Sequence, residues 1–382
     1  MYKLLCYICL VVLVEVMLGS AIAPLLPELS NELGLTKWEA GLLVAGYAFG
    51  CVIWAVPGAL LTVRLGPRYG VFIGLIVLGM SSLAFGIFDT LWLLDLIRVV
   101  QGAASTMCWI AGLAWLVTAT SPERRGEMIG IAIGVGLAGA LLGPVIGGGA
   151  AVFGRTAIFG GCAALMVLLS VVAFALDPGP KFVEQPVRML FQVVRDRTIR
   201  VGLWLIALPG FLLGTVMVLG PLRLEEASWG ILGITLTFVV AAIFEAMANP
   251  IAGRFSDRLG RMSVLRVGLA AAVVSAVIFP FVENRWLISG VIAAAAVSYS
   301  LFWAPALALV MDRAEKLGLS LTMSLGLGNL AFAPGALVGS ALAGALAAVL
   351  GDIAPFALIA VLAFLTLAWL GRLKIEPNDS GV

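Results

Sequence analysis

The sequence predicts an all-α integral membrane protein, with twelve transmembrane helices in two pseudo-symmetric six-helix bundles. Three observations carry that prediction. Hydrophobic residues make up 62% of the chain, charged residues 12%, and the mean hydropathy is +1.13, whereas a soluble domain carries about 25% charged residues. Apolar segments close to the roughly 20 residues needed to span a bilayer recur along the whole chain. The second half also repeats features of the first at an offset near 194 residues. A net charge of +2 says little, because its distribution matters more than its sum. The chain has no histidine, which excludes histidine zinc sites, Ser-His triads and histidine proton relays. Its five cysteines, Cys6, Cys9, Cys51, Cys108 and Cys162, lie in apolar runs without metal-site spacing, and read as packing residues.

The first apolar segment, 4–25, follows Lys3 and ends in small residues, a loose likeness to a signal peptide. Glu15 interrupts it, and removing it would leave an odd helix count, so it reads as helix one. Segment 38–61 opens at Trp38 and runs into TVRLGPR, 62–68. Segment 69–88 follows. Segment 91–118 contains LIRVVQGAAS, where Arg98 and Gln101 stand inside an apolar helix. An ionised side chain near the bilayer centre costs about 3 kcal/mol on insertion scales, so such residues usually serve function. Helical spacing places Arg98, Gln101, Ser105 and Trp109 along one face, with Asp95 one turn outward as a candidate partner of Arg98. The alternative role for Arg98 is a structural hydrogen-bond post between helices. SPERRGE, 121–127, then leads into segment 127–150, which carries GVGLAGALLGPVIGGG. Its glycines at 136, 139, 143 and 147 form a small face suited to close helix contact, and Pro144 bends the helix. Ordinary glycine packing is the plainer reading. Segment 156–176 completes the first bundle, 1–177.

A polar linker, 178–199, has a proline-rich start and an amphipathic end that suits a short helix on the membrane surface. The second bundle, 200–374, holds segments 200–220, 230–251, 264–282, 287–310, 319–346 and 353–371, and a tail follows at 375–382. Segment 230–251 carries Glu245, with Asn249 one turn on. Low dielectric disfavours a bare carboxylate, which suits Glu15 and Glu245 to proton exchange or cation binding. A neutral acid hydrogen-bonded to a neighbouring helix is the other reading of each. Trp109, Tyr299, Trp303 and Asn329, with Trp54, are candidates to line a cavity, although aromatics at helical spacing also serve packing.

Of the 23 lysines and arginines, 18 fall in loops on one side, four (Lys37, Arg155, Arg223, Arg285) on the other, and Arg98 between. The positive-inside rule then puts both termini and the linker in the cytoplasm. Trp38, Trp92, Trp229 and Trp286 each open an even-numbered helix from the opposite side, as interfacial anchors do.

The repeat is visible in particular residues. Arg64 and Arg258, and Trp92 and Trp286, are 194 apart; GPVIGG at 143–148 aligns with GALVGS at 335–340 at offset 192. Two six-helix halves in parallel repeat are the plan of major facilitator proteins, and the local motifs resemble that family. R-x-x-Q-G at Arg98–Gly102 is similar to the family's fourth-helix motif. GRFSDRLGR, Gly253–Arg261, resembles its cytoplasmic G-x-x-x-D-R-x-G-R signature. G-P-x-x-G-G, at Gly143 and Pro144, resembles the fifth-helix motif of its drug–proton antiporters, and SPERRGE resembles the connection before helix five. The first-half copy of the signature departs from the pattern, with Val63 in place of the aspartate and Pro67 in place of an arginine. Arg98 and Gln101 correspond to Ile292 and Ala295, so the polar chemistry of helix four belongs to the first half alone.

The resemblance implies a major facilitator fold and a secondary transporter working by alternating access. The expected function is proton-coupled export of a small amphipathic or cationic compound across the plasma membrane; the alternative is a proton-linked importer or uniporter of a polar metabolite. A receptor that kept the fold without transport is the reading from another class. Glu15, Arg98, Glu245 and Asp95 are the expected proton-coupling residues, and Gln101, Trp109, Tyr299, Trp303 and Asn329 the expected cavity. Asp257, Arg258 and Arg261, with Arg64, Gly143 and Pro144, are the expected conformational gate, Asp257 acting as an acid–base clasp at the cytoplasmic face. The expected partners are a small-molecule substrate, protons and the lipid bilayer, with no nucleic acid, no metal and no cofactor. The expected assembly is a monomer. No enzyme motif is present: H-E-x-x-H, paired aspartates, a G-x-S-x-G elbow and a Walker loop are all missing.

Overall fold

Proline shapes the first span. Pro24 has no N–H to offer the Ser20 carbonyl, and its ring crowds that carbonyl. The helix accordingly breaks at Ala21 into α1 (Tyr2–Ser20) and α2 (Ile22–Leu33), which together cross as one 32-residue element. In this computed structural model the described residues are 2–121, 124–178, 188–319 and 321–372, and the side chains at 188, 190, 191, 257, 259, 321, 322 and 325 lie outside that description. Among the described residues all regular structure is helical, and twelve elements are long and apolar enough to cross a membrane.

The remaining first-half spans are α3 (Lys37–Leu65), α4 (Pro67–Ile87), α5 (Leu91–Thr118), α6 (Arg125–Phe153) and α7 (Arg155–Val172). A short α8 (Arg188–Val193) occupies the linker. The second half holds α9 (Arg197–Glu226), α10 (Gly230–Leu259), α11 (Arg261–Ile278), α12 (Arg285–Lys316), α13 (Leu321–Leu350) and α14 (Ile353–Arg372). Several helices outrun their apolar segments by one or two turns, α10 by eight residues beyond 251. Hydropathy marks the part of a helix that sits in hydrocarbon, whereas polar residues continue the helix beyond it. The linker expected over 178–199 ends early for the same reason: α9 begins at Arg197, capped by Asp196, whose carboxylate accepts from the Thr198 and Ile199 amides. The same carboxylate binds Arg313 at the end of α12, with Arg313 Nη2 2.7 Å away. That pairing holds the Asp196 carboxyl below the usual carboxylate range. The expected tail, 375–382, lies outside the described residues.

The repeat is built into the backbone. Gly66 and Gly260, 194 residues apart, both turn at positive φ, 92° and 83°, between consecutive helices. That region is open to glycine and costly for other residues. The first-half loop therefore keeps its turn although Val63 has replaced its acid. Glycine faces repeat as well. A Cβ on Gly139, Gly143 or Gly147 of α6 would collide with the backbone of Leu13, Met17 or Ala21, and one on Gly335 or Gly339 of α13 with that of Ala207 or Phe211 in α9. The small face expected from sequence is thus a packing seam in each half.

The halves meet along α3 with α13 and α6 with α10. At the end opposite the basic loops, Gly41 and Gly344 bring α3 and α13 into backbone contact, since a Cβ on Gly41 would lie 2.9 Å from the Gly344 Cα. Lys37 Nζ spans the halves there, 2.8 Å from Asp352 Oδ1 and 3.1 Å from Glu226 Oε1. Of the four expected interfacial tryptophans, Trp38, Trp92 and Trp286 are exposed. Trp229 instead packs edge-on against Trp286 and donates to Thr237 Oγ1 at 3.1 Å.

Candidate functional site

Between the halves lies a cavity of about 880 Å³. It runs to the basic end of the bundle, where Thr62, Val63, Thr118 and Arg125 line it, and stops short of the Lys37 clasp at the other. Its walls are mostly apolar, with a small set of polar groups.

Those groups are unevenly divided. On the first-half wall Glu15, Tyr47, Arg98, Ser105 and Trp109 line the cavity. Glu15 is 4% exposed, and its carboxylate accepts a hydrogen bond from Ser105 Oγ. Arg98 is 3% exposed; its Nη1 donates to Gln101 Oε1 at 3.0 Å, and its guanidinium carbon stands 4.7 Å from the centre of the Tyr47 ring. Arg98 Nε is buried without a partner. Among the described residues no cation lies within ion-pair distance of Glu15. Arg125, also in the wall, donates from Nε to the Val117 and Thr120 carbonyls at the end of α5.

The second-half wall is aromatic. Tyr299 and Trp303 stack at 5.7 Å, and Phe332 meets both edge-on, at 6.1 and 5.0 Å. Glu245 lines the same wall with Asn329. Its backbone carbonyl accepts from Ser300 Oγ and Asn249 Nδ2, at 3.0 and 3.1 Å. Asn249 thus serves the backbone of Glu245 rather than its carboxylate. Pro144 also reaches the cavity, whereas Gly143 is buried against Met17 and Ser20 of α1.

Several expected roles need correction. Asp95 does not pair with Arg98 and does not reach the central cavity. It lines a separate crevice of about 370 Å³ formed by α3, α5 and α13, with Oδ1 unpartnered. One helical turn separates the two side chains in sequence, yet Arg98 turns inward to Tyr47 and Gln101. Gln101, 1% exposed, stands behind Arg98 as its hydrogen-bond acceptor rather than in the cavity wall. Trp54 is a neighbour of Gly58 and lies outside the cavity. At the basic end Arg64 and Arg258 are exposed, and Arg261 pairs with Asp312 of its own half at 2.6 Å. The side chain of Asp257 lies outside the described residues. Among the described residues, the ion pairs seen to join the halves lie at the other end, at Lys37.

Sequence reasoning missed Tyr47, Phe332 and the Lys37 group. The signal for Tyr47 was the pair Gly46 and Gly50 in α3 facing Gly102 in α5. A Cβ on Gly50 would strike the Val99 carbonyl, and one on Gly102 the Tyr47 carbonyl. The glycine that ends R-x-x-Q-G therefore lets α3 lie against α5 and sets Tyr47 over Arg98.

The Major Facilitator Superfamily profile matches residues 8–324, and a second time 211–381. The quinolone resistance protein NorA of Staphylococcus aureus is 31% identical over 161 residues, 42% of this chain and 41% of that protein. The synaptic vesicular amine transporter of Homo sapiens is 28% identical over 274 residues, 70% of this chain and 53% of that protein. The chain thus spans about two fifths and about half of the lengths of these relatives. Crystal structures of a bacterial homologue of the human lysosomal transporter Spinster, inward-facing and either unoccupied or occupied, superpose with TM-scores of 0.76 and 0.78. They are 13% identical to this chain and cover 97% of it and 96% of their own length. With its twelve spans, its duplicated halves and a central cavity between them, the chain belongs to the Major Facilitator Superfamily, a family of membrane transporters rather than enzymes.

Proposed function

We propose that this transporter exports a small amphipathic cation in exchange for protons. The observation that carries the reading is the chemistry of the cavity: an apolar, aromatic chamber with a carboxyl group on each wall, Glu15 and Glu245, and a single deep arginine. Aromatic faces and carboxylates attract a flat organic cation, and the apolar lining takes its hydrocarbon body. One carboxylate that binds either a proton or a cation is the simplest physical route to antiport. The partial likeness to proteins named for quinolone resistance and for amine transport supports the same substrate class.

The bundles are 1–177 and 200–374, and the protein works as a monomer in the plasma membrane with both termini cytoplasmic, an orientation supported by the arginine-rich loops. In that orientation the cavity opens to the cytoplasm and Lys37 closes the outer end. Rocking of the halves moves the closure from one end to the other. In the outward-open state the junction of α10 and α11, with Asp257, Arg258 and Arg261, holds the inner end.

The experiment is uptake into proteoliposomes of ethidium, a planar aromatic cation, and of a panel of other amines, with and without a proton gradient. Gradient-driven accumulation that disappears in Glu15→Gln supports the proposal. Accumulation of neutral metabolites alone, independent of pH, would replace it with the facilitator reading. No counterflow of any compound would favour a receptor.

A further inference from the structure

A buried acid and a buried arginine line the same wall without pairing. Glu15 takes its hydrogen bond from Ser105, while Arg98 spends one donor on Gln101 and leaves Nε unpartnered. In low dielectric two such opposite charges attract strongly, and an arginine with unused donors has capacity for a second partner. Something must keep them apart. Tyr47 faces both: its ring lies under the Arg98 guanidinium at 4.7 Å, and its hydroxyl is near Ser105, Glu15 and the Gly19 backbone.

We infer that Tyr47 is a positioning residue, a wedge that holds Arg98 away from Glu15 so that the acid stays free to exchange its proton. The inference rests on the proposed role of Glu15 in coupling. Attraction between guanidinium and ring face compensates part of what Arg98 forgoes by not reaching the carboxylate. The wedge is fixed by backbone, because Gly50 and Gly102 allow α3 and α5 no slack at this level. The titratable or charged groups around Glu15 are Tyr47 and Cys51 of α3 and Arg98 and Cys108 of α5. Helix α6 meets α1 through the glycines at 136, 139 and 143, and Glu245 of α10 lines the far wall of the same cavity. Arg98 is the sole cation in this set, so separating it from Glu15 decides whether the acid is held ionised.

The test needs no known substrate. Tyr69 and Ser263 are exposed near the starts of α4 and α11 in the two halves, and spin labels there, in a background free of native cysteines, report the opening of the basic end by distance. The populations are followed from pH 5 to 9 in nanodiscs. Removing the ring in Tyr47→Leu lets Arg98 reach Glu15 and hold it ionised, so the midpoint of the pH response moves down by about one unit or more. Tyr47→Phe keeps the wild-type midpoint, because the ring is the wedge. Tyr47→Leu combined with Arg98→Gln loses the shift. A purely structural tyrosine would alter stability without that pattern. If Tyr47→Leu fails to fold, Tyr47→Met makes the same comparison with a side chain of closer volume. If Glu15→Gln flattens the response but neither Tyr47→Leu nor Tyr47→Met moves it, the wedge is wrong and the coupling role of Glu15 stands. A wild-type response that Glu15→Gln leaves unchanged, or no pH response at all, overturns both.

Discussion

The two halves share a backbone plan and differ in chemistry. Both turn on a positive-φ glycine between consecutive helices, and both seat a glycine face against their first helix. At the level of Arg98 and Gln101, however, the second half has Ile292 and Ala295, both buried at the cavity wall. The first half has gathered Glu15, Tyr47, Arg98 and Ser105, whereas the second presents stacked Tyr299 and Trp303, an edge-on Phe332, and Glu245. At these glycines, contacts between backbones constrain both halves alike, because a Cβ in the wrong place parts two helices. Side chains facing the cavity are not bound in that way, and one half has kept the ions while the other offers aromatic surface.

The comparison breaks most severely at the glycine that supports it. Gly102→Ala drives a methyl into the Tyr47 carbonyl, and overpacking of this kind costs about 2 kcal/mol or more. The equivalent position in the second half is already Ala296. Ala296→Gly should cost only about 1 kcal/mol, the price of a glycine inside a helix. Thermal unfolding in detergent ranks the two. A gain in stability for Ala296→Gly would mean that the halves are packed alike at this level.

Removing the arginine comes next. Arg98→Ala should lower gradient-driven transport by at least about tenfold with folded protein still in the membrane. Moving the charge to the other half, as Ile292→Arg, should reduce membrane yield, because a lone arginine in that wall costs about 3 kcal/mol and has no Gln101 or Tyr47 beside it. Transport by Arg98→Ala at the wild-type rate would reduce Arg98 to a structural post.

The acids are expected to differ in kind. Glu15→Gln should remove the pH dependence of transport, while Glu245→Gln should weaken cation binding by about three- to fivefold, under 1 kcal/mol, and leave the pH profile in place. Binding and uptake measured at several pH values separate these effects, and an exchange of the two phenotypes would move coupling to the second half. The smallest effect belongs to the clasp. Lys37→Gln should shift the equilibrium toward the outward-open state by about fivefold, a change worth roughly 1 kcal/mol that shrinks at high salt. Spin-label distances across the Lys37 end measure it directly.

The residues legible from sequence were those whose chemistry is out of place in lipid. Glu15, Arg98 and Glu245 stand out in any apolar run, and the structure brings all three to one cavity with Trp109, Tyr299, Trp303 and Asn329. Helix number and repeat were legible for a similar reason, since the bilayer fixes segment length and the offset fixes correspondence. Contacts between helices were not. Asp95 looked like the partner of Arg98 because it lies on the next turn, but the pairing was decided by α3, which brings Tyr47 across at Gly50 and Gly102. Lys37 opens α3, Glu226 ends α9 and Asp352 lies in the turn between α13 and α14, and all three read from sequence as ordinary loop charges. The bend at Ala21 was hidden because Pro24 sits within an otherwise continuous apolar run.

The central claim, that one carboxyl group in the first half exchanges a proton for a cation, is tested most directly by counting protons. Purified protein in weakly buffered detergent is mixed with ethidium, and with each amine that the transport panel shows to be carried, while a pH indicator follows the solution. The account predicts release of about one proton per cation bound by the wild type, the same release by Glu245→Gln, and none by Glu15→Gln. Cation binding with no proton released, or equal release from Glu15→Gln, would contradict it.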